Sequence, residues 1–252
     1  GAARDGTRLS ITLHSAADRP DLVAAAEAMS EEIWPVWLST AALRTYWADI
    51  YRPPLAGFQT IALDGERVVG LANSIPFLRD PHAPLPDTGW DAVLEWGVEG
   101  ARAGRAANCL SALSVAIRPE QRGTGLARRL LEAMKIPARA GLVSMVAPVR
   151  PTLKALYPLQ DFMTYCNWRR PDGTAFDPWL RTHEAMGATV IGPAMVSQTI
   201  TGTIEQWQRW TGLQFPASGA YAIAGALAPL EIDLAAGTGV CLEPNLWMEH
   251  PL

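Results

Sequence analysis

Val115-Ala116-Ile117-Arg118-Pro119-Glu120-Gln121-Arg122-Gly123-Thr124-Gly125-Leu126-Ala127-Arg128-Arg129-Leu130-Leu131 is the stretch on which the fold of this 252-residue chain turns. It opens as the end of an apolar run, 108–119, that reads as a buried strand stopped by Pro119. Leu126, Leu130, Leu131 and Met134 then recur at helical spacing. Between strand and helix lies a loop with two glycines. Their conformational freedom lets successive N–H groups, together with the helix N-terminus, point at one anion such as a pyrophosphate. Two nucleotide loops are excluded. The dinucleotide fingerprint needs a third glycine and an acidic residue about twenty positions on, at the first strand of the fold, whereas this loop follows the fourth. A Walker loop needs GKS or GKT, which is absent.

Working outward, residues 8–15 alternate apolar and polar like a half-buried strand, and Asp18 reads as the cap of a helix running to about Trp34. A second helix spans about Ser39 to Tyr51, closed by Pro53-Pro54. Two apolar runs around Asp64-Gly65, 58–77, read as a hairpin, followed by a helix from about Trp90 to Ala103. Downstream, 141–149 is a strand and 150–176 is Pro-rich and irregular. Asp177 and Pro178 read as N-cap and first residue of a helix ending at Gly187, then come two strands, a short helix and two or three more strands.

Composition narrows the class. At 49% hydrophobic and 18% charged, with net charge −4, the chain buries ample core and is not disordered. No apolar stretch approaches a membrane span of about 20 residues, and the charged opening GAARDGTRLS is unlike a secretory signal, so a cytoplasmic protein is expected. No basic run suits nucleic acid. Cys109, Cys166 and Cys241 are widely spaced and read as buried free thiols, and His14, His82, His183 and His250 form no metal pattern, so no metal site is expected.

A strand ending Val-x-Ile-x-Pro, followed by Arg-x-x-Gly-x-Ala, is similar to the acetyl-CoA loop of the GNAT superfamily of N-acyltransferases, and the element order over 8–201 is similar as well. The resemblance implies an α/β fold with a mixed, mostly antiparallel central sheet flanked by helices and extra C-terminal strands. One domain, 1–252, would hold an insertion at 148–176 and a C-terminal elaboration at 202–252. It implies an acyltransferase that uses acetyl-CoA or another acyl-CoA, or the phosphopantetheine of an acyl carrier protein, and a small-molecule amine acceptor. In such a fold the fourth and fifth strands splay around the pantetheine arm. Val115, Ala116 and Ile117 would line it, and Arg122, Gly123, Thr124, Gly125, Leu126 and Ala127 would hold the pyrophosphate. A CoA-binding protein or acyl-thioester decarboxylase without amine transfer is the alternative.

The family's proton donor to the leaving thiolate is generally a Tyr on the helix after the fifth strand. Two registers compete for that position. Arg150-x-x-Leu153-x-x-Leu156-Tyr157 supplies Tyr157, whereas the helix ending in Gly187 supplies His183 and explains the strand that follows. Both stand as candidate catalytic residues. A base for the amine is not visible, since the fourth strand offers only Ser111 and Ser114, and Glu95 and Glu99 read as solvated charges. None of the ten Trp residues falls between Gly97 and Asn167. They would therefore build the core and acceptor side around a Trp-free thioester centre, which suggests an apolar or flat acceptor.

Overall fold

The computed structural model describes residues 10–252. Arg8, Leu9 and the rest of the charged opening lie outside the described residues. The apolar runs form strands β1 (Thr12–Ser15), β2 (Thr60–Asp64), β3 (Arg67–Phe77), β4 (Cys109–Ile117), β5 (Ser144–Val149), β6 (Thr189–Thr203), β7 (Gly219–Tyr221), β8 (Leu230–Asp233) and β9 (Thr238–His250). The helices are α1 (Val23–Glu31), α2 (Ala41–Tyr46), α3 (Gly89–Arg102), α4 (Leu126–Arg139), α5 (Phe162–Cys166), α6 (Pro178–Ala185) and α7 (Ile204–Thr211).

These strands make one sheet in the order β1-β2-β3-β4-β5-β9-β8-β7, with β6 on the other side of β9. All pairings are antiparallel except β4 with β5. Helix α4 packs on one face over Ala62, Ala72 and Leu110, together with Leu180 of α6 and Tyr165 of α5. On the other face α1 covers Ile61, Leu63 and Leu71, and α3 covers Ile75, Cys109 and Val146. Gly70 permits the close approach of α4: a Cβ there would stand 3.0 Å from Leu130 Cδ1.

Several local expectations change for identifiable reasons. Asp18 bonds the Ser15 hydroxyl (2.8 Å) and caps no helix; α1 starts only after a 3-10 turn at Pro20–Leu22. Trp34 lies beyond α1, which ends at Glu31. Asp177 does cap α6, and Thr40 caps α2. Residues 150–176 are pinned, because the Asp177 carboxylate accepts from the amides of Thr152 (3.2 Å) and Leu153 (2.9 Å) and from the Tyr165 hydroxyl (2.6 Å). The region 202–252 contains β9, which pairs with both β5 and β6, so the added structure lies between β6 and β9. Its core is Trp207 against Trp37, with Phe215, Ile223 and Leu230. Truncating a fully buried indole such as Trp207 or Trp247 costs about 3–5 kcal/mol. The three cysteines are buried and free. Among the described residues no helix is long and apolar enough to cross a membrane, and no cluster of three or more His, Cys, Asp or Glu is placed to hold a metal ion.

Candidate active site

The parallel pairing of β4 with β5 is short. It joins Cys109–Ser111 to Ser144–Val146, after which β4 continues to Ile117 and β5 to Val149 without bonding each other. One backbone edge of β4 from Ala112 to Ile117 is therefore free of a strand partner, as an edge strand open to an extended ligand is. Ser114, Val115 and Ile117 are half-buried there, and Ala116 turns inward against α1. Opposite β3, Asn73 pairs with Ser114 and Ser74 with Ala112, so Leu113 is an extra residue and β4 bulges at it. The bulge is held by Trp90, whose indole N–H donates to the Leu113 carbonyl (2.7 Å).

Beyond the free edge, the chain turns into α4 at the two glycines. Gly123 (φ 75°) and Gly125 (φ 84°) take the left-handed region, and a Cβ on either would meet nothing within 4 Å. The loop is thus an open cradle and not a tight packing turn. Two of its six amides are spent internally: Arg122 donates to the Pro119 carbonyl (3.1 Å) and Thr124 to that of Gln121 (3.3 Å). Those of Gly123, Gly125, Leu126 and Ala127 meet no backbone acceptor among the described residues. With the N-terminus of the 14-residue α4 behind them, they offer donors that an anion can accept from. Arg122 and Arg128 are exposed beside it. A phosphate-bearing arm lying along β4 fits this arrangement: strand edge for its amides, cradle for its phosphates.

The far wall of the gap is ionic and rigid. Arg150, directly after β5, bonds Glu243 of β9 (3.1 Å) and the Gly225 carbonyl (2.6 Å). Glu243 is fully buried, and burial raises its pKa against the opposing pull of Arg150. Buried Lys154 donates to the carbonyls of Tyr157 (2.8 Å) and Leu227 (2.7 Å), and burial lowers its pKa. These contacts hold residues 225–227 against Arg150, Lys154 and Glu243.

The two sequence-derived proton donors lie apart. Tyr157 is half-buried, packed among Tyr165, Trp168 and Phe176 at the border of the same cluster as Val115 and Ile117. Its hydroxyl has no hydrogen-bond partner among the described residues, whereas Tyr165 commits its own to Asp177. His183 is buried with Nδ1 2.7 Å from His250 Nε2, and His250 pairs with Met145 at the closed end of the gap. Burial pushes His183 down to about 3 and His250 to about 4, with Lys135 adding to both. Both imidazoles are neutral near pH 7. Glu95 and Glu99 also sit away from the gap, lining a groove of about 620 Å³ with Phe77, Trp96 and Leu142.

On the α1 face a polar chain went unnoticed in the sequence. Half-buried Glu27 accepts from the Trp47 indole (2.8 Å) and from the Tyr51 hydroxyl. Burial, then the Glu27 charge, holds the Tyr51 hydroxyl far above its ordinary pKa, so it stays a donor. Asn73 donates to Tyr51 (3.0 Å) and to Gln59 (3.2 Å). Trp47 stacks on Trp90, centroids 5.8 Å apart. The available signal was Glu27 as a carboxylate set among the alanines of α1; nothing in the sequence joined it to residues 47, 51 and 73.

No family model matches the chain. The arginine N-acetyltransferase avaD of Aspergillus versicolor is 33% identical over 273 residues, spanning 96% of this chain and 94% of that protein. Two solved structures share the fold over nearly the whole length. The loading GNATL domain of CurA from Lyngbya majuscula has a TM-score of 0.58 at 18% identity, covering 96% of this chain and 97% of that one. The GphF GNAT-like decarboxylase in complex with isobutyryl-CoA has a TM-score of 0.55 at 16% identity, covering 96% and 98%.

Proposed function

The chain belongs to the GNAT superfamily and is an N-acyltransferase acting on a small-molecule amine; we propose that its donor is an acyl-CoA held between β4 and β5, and its acceptor a basic amino acid of the arginine type. The observation that carries the donor assignment is the free edge of β4 running into the open glycine cradle. When bound, the donor supplies a thioester carbonyl open to attack. The amides of Gly123, Gly125, Leu126 and Ala127 hold its pyrophosphate, and the β4 edge near Val115 and Ile117 bonds the pantetheine amides. Leu113 and its neighbours at the bulge, braced by Trp90, present backbone N–H to the thioester oxygen, where a fixed donor stabilises developing charge.

Tyr157 protonates the leaving thiolate in this proposal. Its hydroxyl is uncommitted, its ring borders the same cluster as Val115 and Ile117, and a phenol is a donor of suitable strength. We assign His183 a positioning role, tying α6 to the end of β9 through His250. The arginine-type acceptor rests on the 33% identical relative and departs from the flat, apolar acceptor suggested by the Trp content. A carrier-borne arm presents the same pantetheine to the same edge, with Arg122 and Arg128 at its mouth. The deciding experiment is a mass-spectrometric screen of L-arginine, agmatine and aromatic amines against acetyl-CoA and against an acetyl-loaded carrier protein. Acetylarginine formed from free acetyl-CoA is the expected product; transfer only from the carrier, or only to aromatic amines, overturns the corresponding half of the assignment.

A further inference from the structure

Resting on that reading of the chain as an amine acyltransferase, we infer that Glu27 takes the proton of the acceptor ammonium and that Asn73 Oδ1 holds the resulting amine beside the bulge of β4. The first observation is an unanswered acceptor. Asn73 is fully buried, yet its Oδ1 has no partner among the described residues. Its orientation is dictated by its neighbours: Gln59 spends its amide N–H groups on the carbonyls of Leu55 (3.0 Å) and Ser74 (2.9 Å), so its Oε1, which also accepts from the Ser74 amide (3.0 Å), faces Asn73 and would repel an oxygen there. Asn73 therefore turns Nδ2 toward Gln59 and Tyr51, and Oδ1 is left bare. A buried acceptor without a donor is destabilising, and an amine N–H removes that cost.

The second observation is the carboxylate above it. Glu27 accepts one hydrogen bond on each oxygen, from Trp47 and Tyr51, which orients the group and leaves lone pairs for a cation. Tyr51 links it directly to Asn73, so carboxylate and bare oxygen belong to one rigid unit. Register supplies the third point. Asn73 stands opposite Ser114, the residue next to the extra Leu113, so the unit overlies the part of β4 where the thioester is presented. Other half-buried carboxylates near this unit are engaged elsewhere, and Glu31 and Glu32 stand exposed at the end of α1. Asp91 accepts from Thr40 (2.7 Å) and from the Thr199 amide (3.2 Å), Asp49 is paired with Arg52 and Arg102, and Glu95 and Glu99 line the groove with Phe77 and Leu142.

In the step that follows, the ammonium gives one proton to the Glu27 carboxylate, which later releases it to water. The nitrogen lone pair forms the N–C bond, the C–S bond breaks with its electron pair going to sulfur, the thiolate takes the Tyr157 proton, and the second N–H proton restores the phenol. Trp47, Tyr51 and Asn73 position these groups.

The test compares acceptors that differ in basicity. Glu27→Gln keeps the shape and one of the two donor contacts on its single oxygen, turns an NH2 toward the other partner, and cannot take a proton, so its kcat toward an alkylamine such as L-arginine falls about 100-fold or more at saturating acceptor. Toward methoxyamine, already neutral at pH 7, its kcat stays within a few-fold of wild type, and acetyl-CoA affinity by calorimetry is unchanged. Tyr51→Phe, which removes one hydroxyl, shows the same selectivity at smaller size, about tenfold, and serves if Glu27→Gln misfolds. Full alkylamine kcat in Glu27→Gln, a loss confined to KM, or equal losses toward both amines overturns the inference. A wild-type protein that acylates neither amine overturns the acyltransfer reading instead.

Discussion

The donor side and the acceptor side of this site are built from different materials. The donor side is backbone: a strand edge from Ala112 to Ile117, two left-handed glycines and the first amides of α4, with hardly a side chain required. The acceptor side is side chains brought from far apart in sequence, with Glu27, Trp47, Tyr51 and Asn73 joined by hydrogen bonds and Trp90 linking them to the Leu113 carbonyl. A backbone site recognises what all acyl-CoA donors share, phosphate and amide. A side-chain site can be rebuilt for another acceptor without disturbing the sheet.

That division predicts separable failures. The largest effect is on the donor side: Gly125→Asp forces a side chain into a left-handed position and puts a negative charge against the pyrophosphate site, a like-charge contact worth several kcal/mol. Calorimetry should detect no acetyl-CoA binding, while circular dichroism remains that of the wild type because no atom lies within 4 Å of the new Cβ. Retained binding breaks the backbone account. Next, Tyr157→Phe should lower kcat by about 10- to 100-fold with acetyl-CoA affinity unchanged, since only a proton donor is removed; an unchanged kcat removes Tyr157 from the chemistry.

The smallest effect concerns stability and lies outside both halves. His183 and His250 are held at about 3 and about 4, below the ordinary 6.5. Below pH 6.5 the unfolded chain binds protons that the folded chain refuses, so their contribution to stability is whole above pH 6.5 and is lost as pH falls toward 4. Melting temperature measured from pH 7 to pH 4 should drop, and drop less steeply in His183→Gln. Asp91, raised by burial to about 6, acts in the opposite sense over pH 4–6 and blunts the slope. An equally steep drop in His183→Gln shows that the histidine pair is not its source.

Legibility in the sequence followed the same line. The strand, loop and helix around Arg122 to Ala127 could be read because each depends on neighbours a few residues away: Pro119 ends the strand, the glycines open the loop and Leu126, Leu130 and Leu131 face the sheet. Asp177 and the Asp64-Gly65 hairpin were legible for the same reason. The His183 register identified the helix that enters β6, but periodicity says nothing of what a side chain meets, and the ring meets His250, 67 residues away. The role of β9 was hidden similarly, because its alternation does not reveal that β5 and β6 flank it.

What the sequence determined by itself is local: a glycine loop between the fourth strand and an amphipathic helix, in a mixed α/β chain whose ten Trp residues avoid the stretch from Gly97 to Asn167. Short-range sterics and hydrophobic periodicity suffice for that. Tertiary structure alone decided the splay that stops at Ser111, the bulge at Leu113, and the meeting of Glu27 with Tyr51 and Asn73. Those depend on strand register and on contacts across more than twenty residues, where the free energy comes from satisfying buried polar groups jointly and no local pattern records the partner.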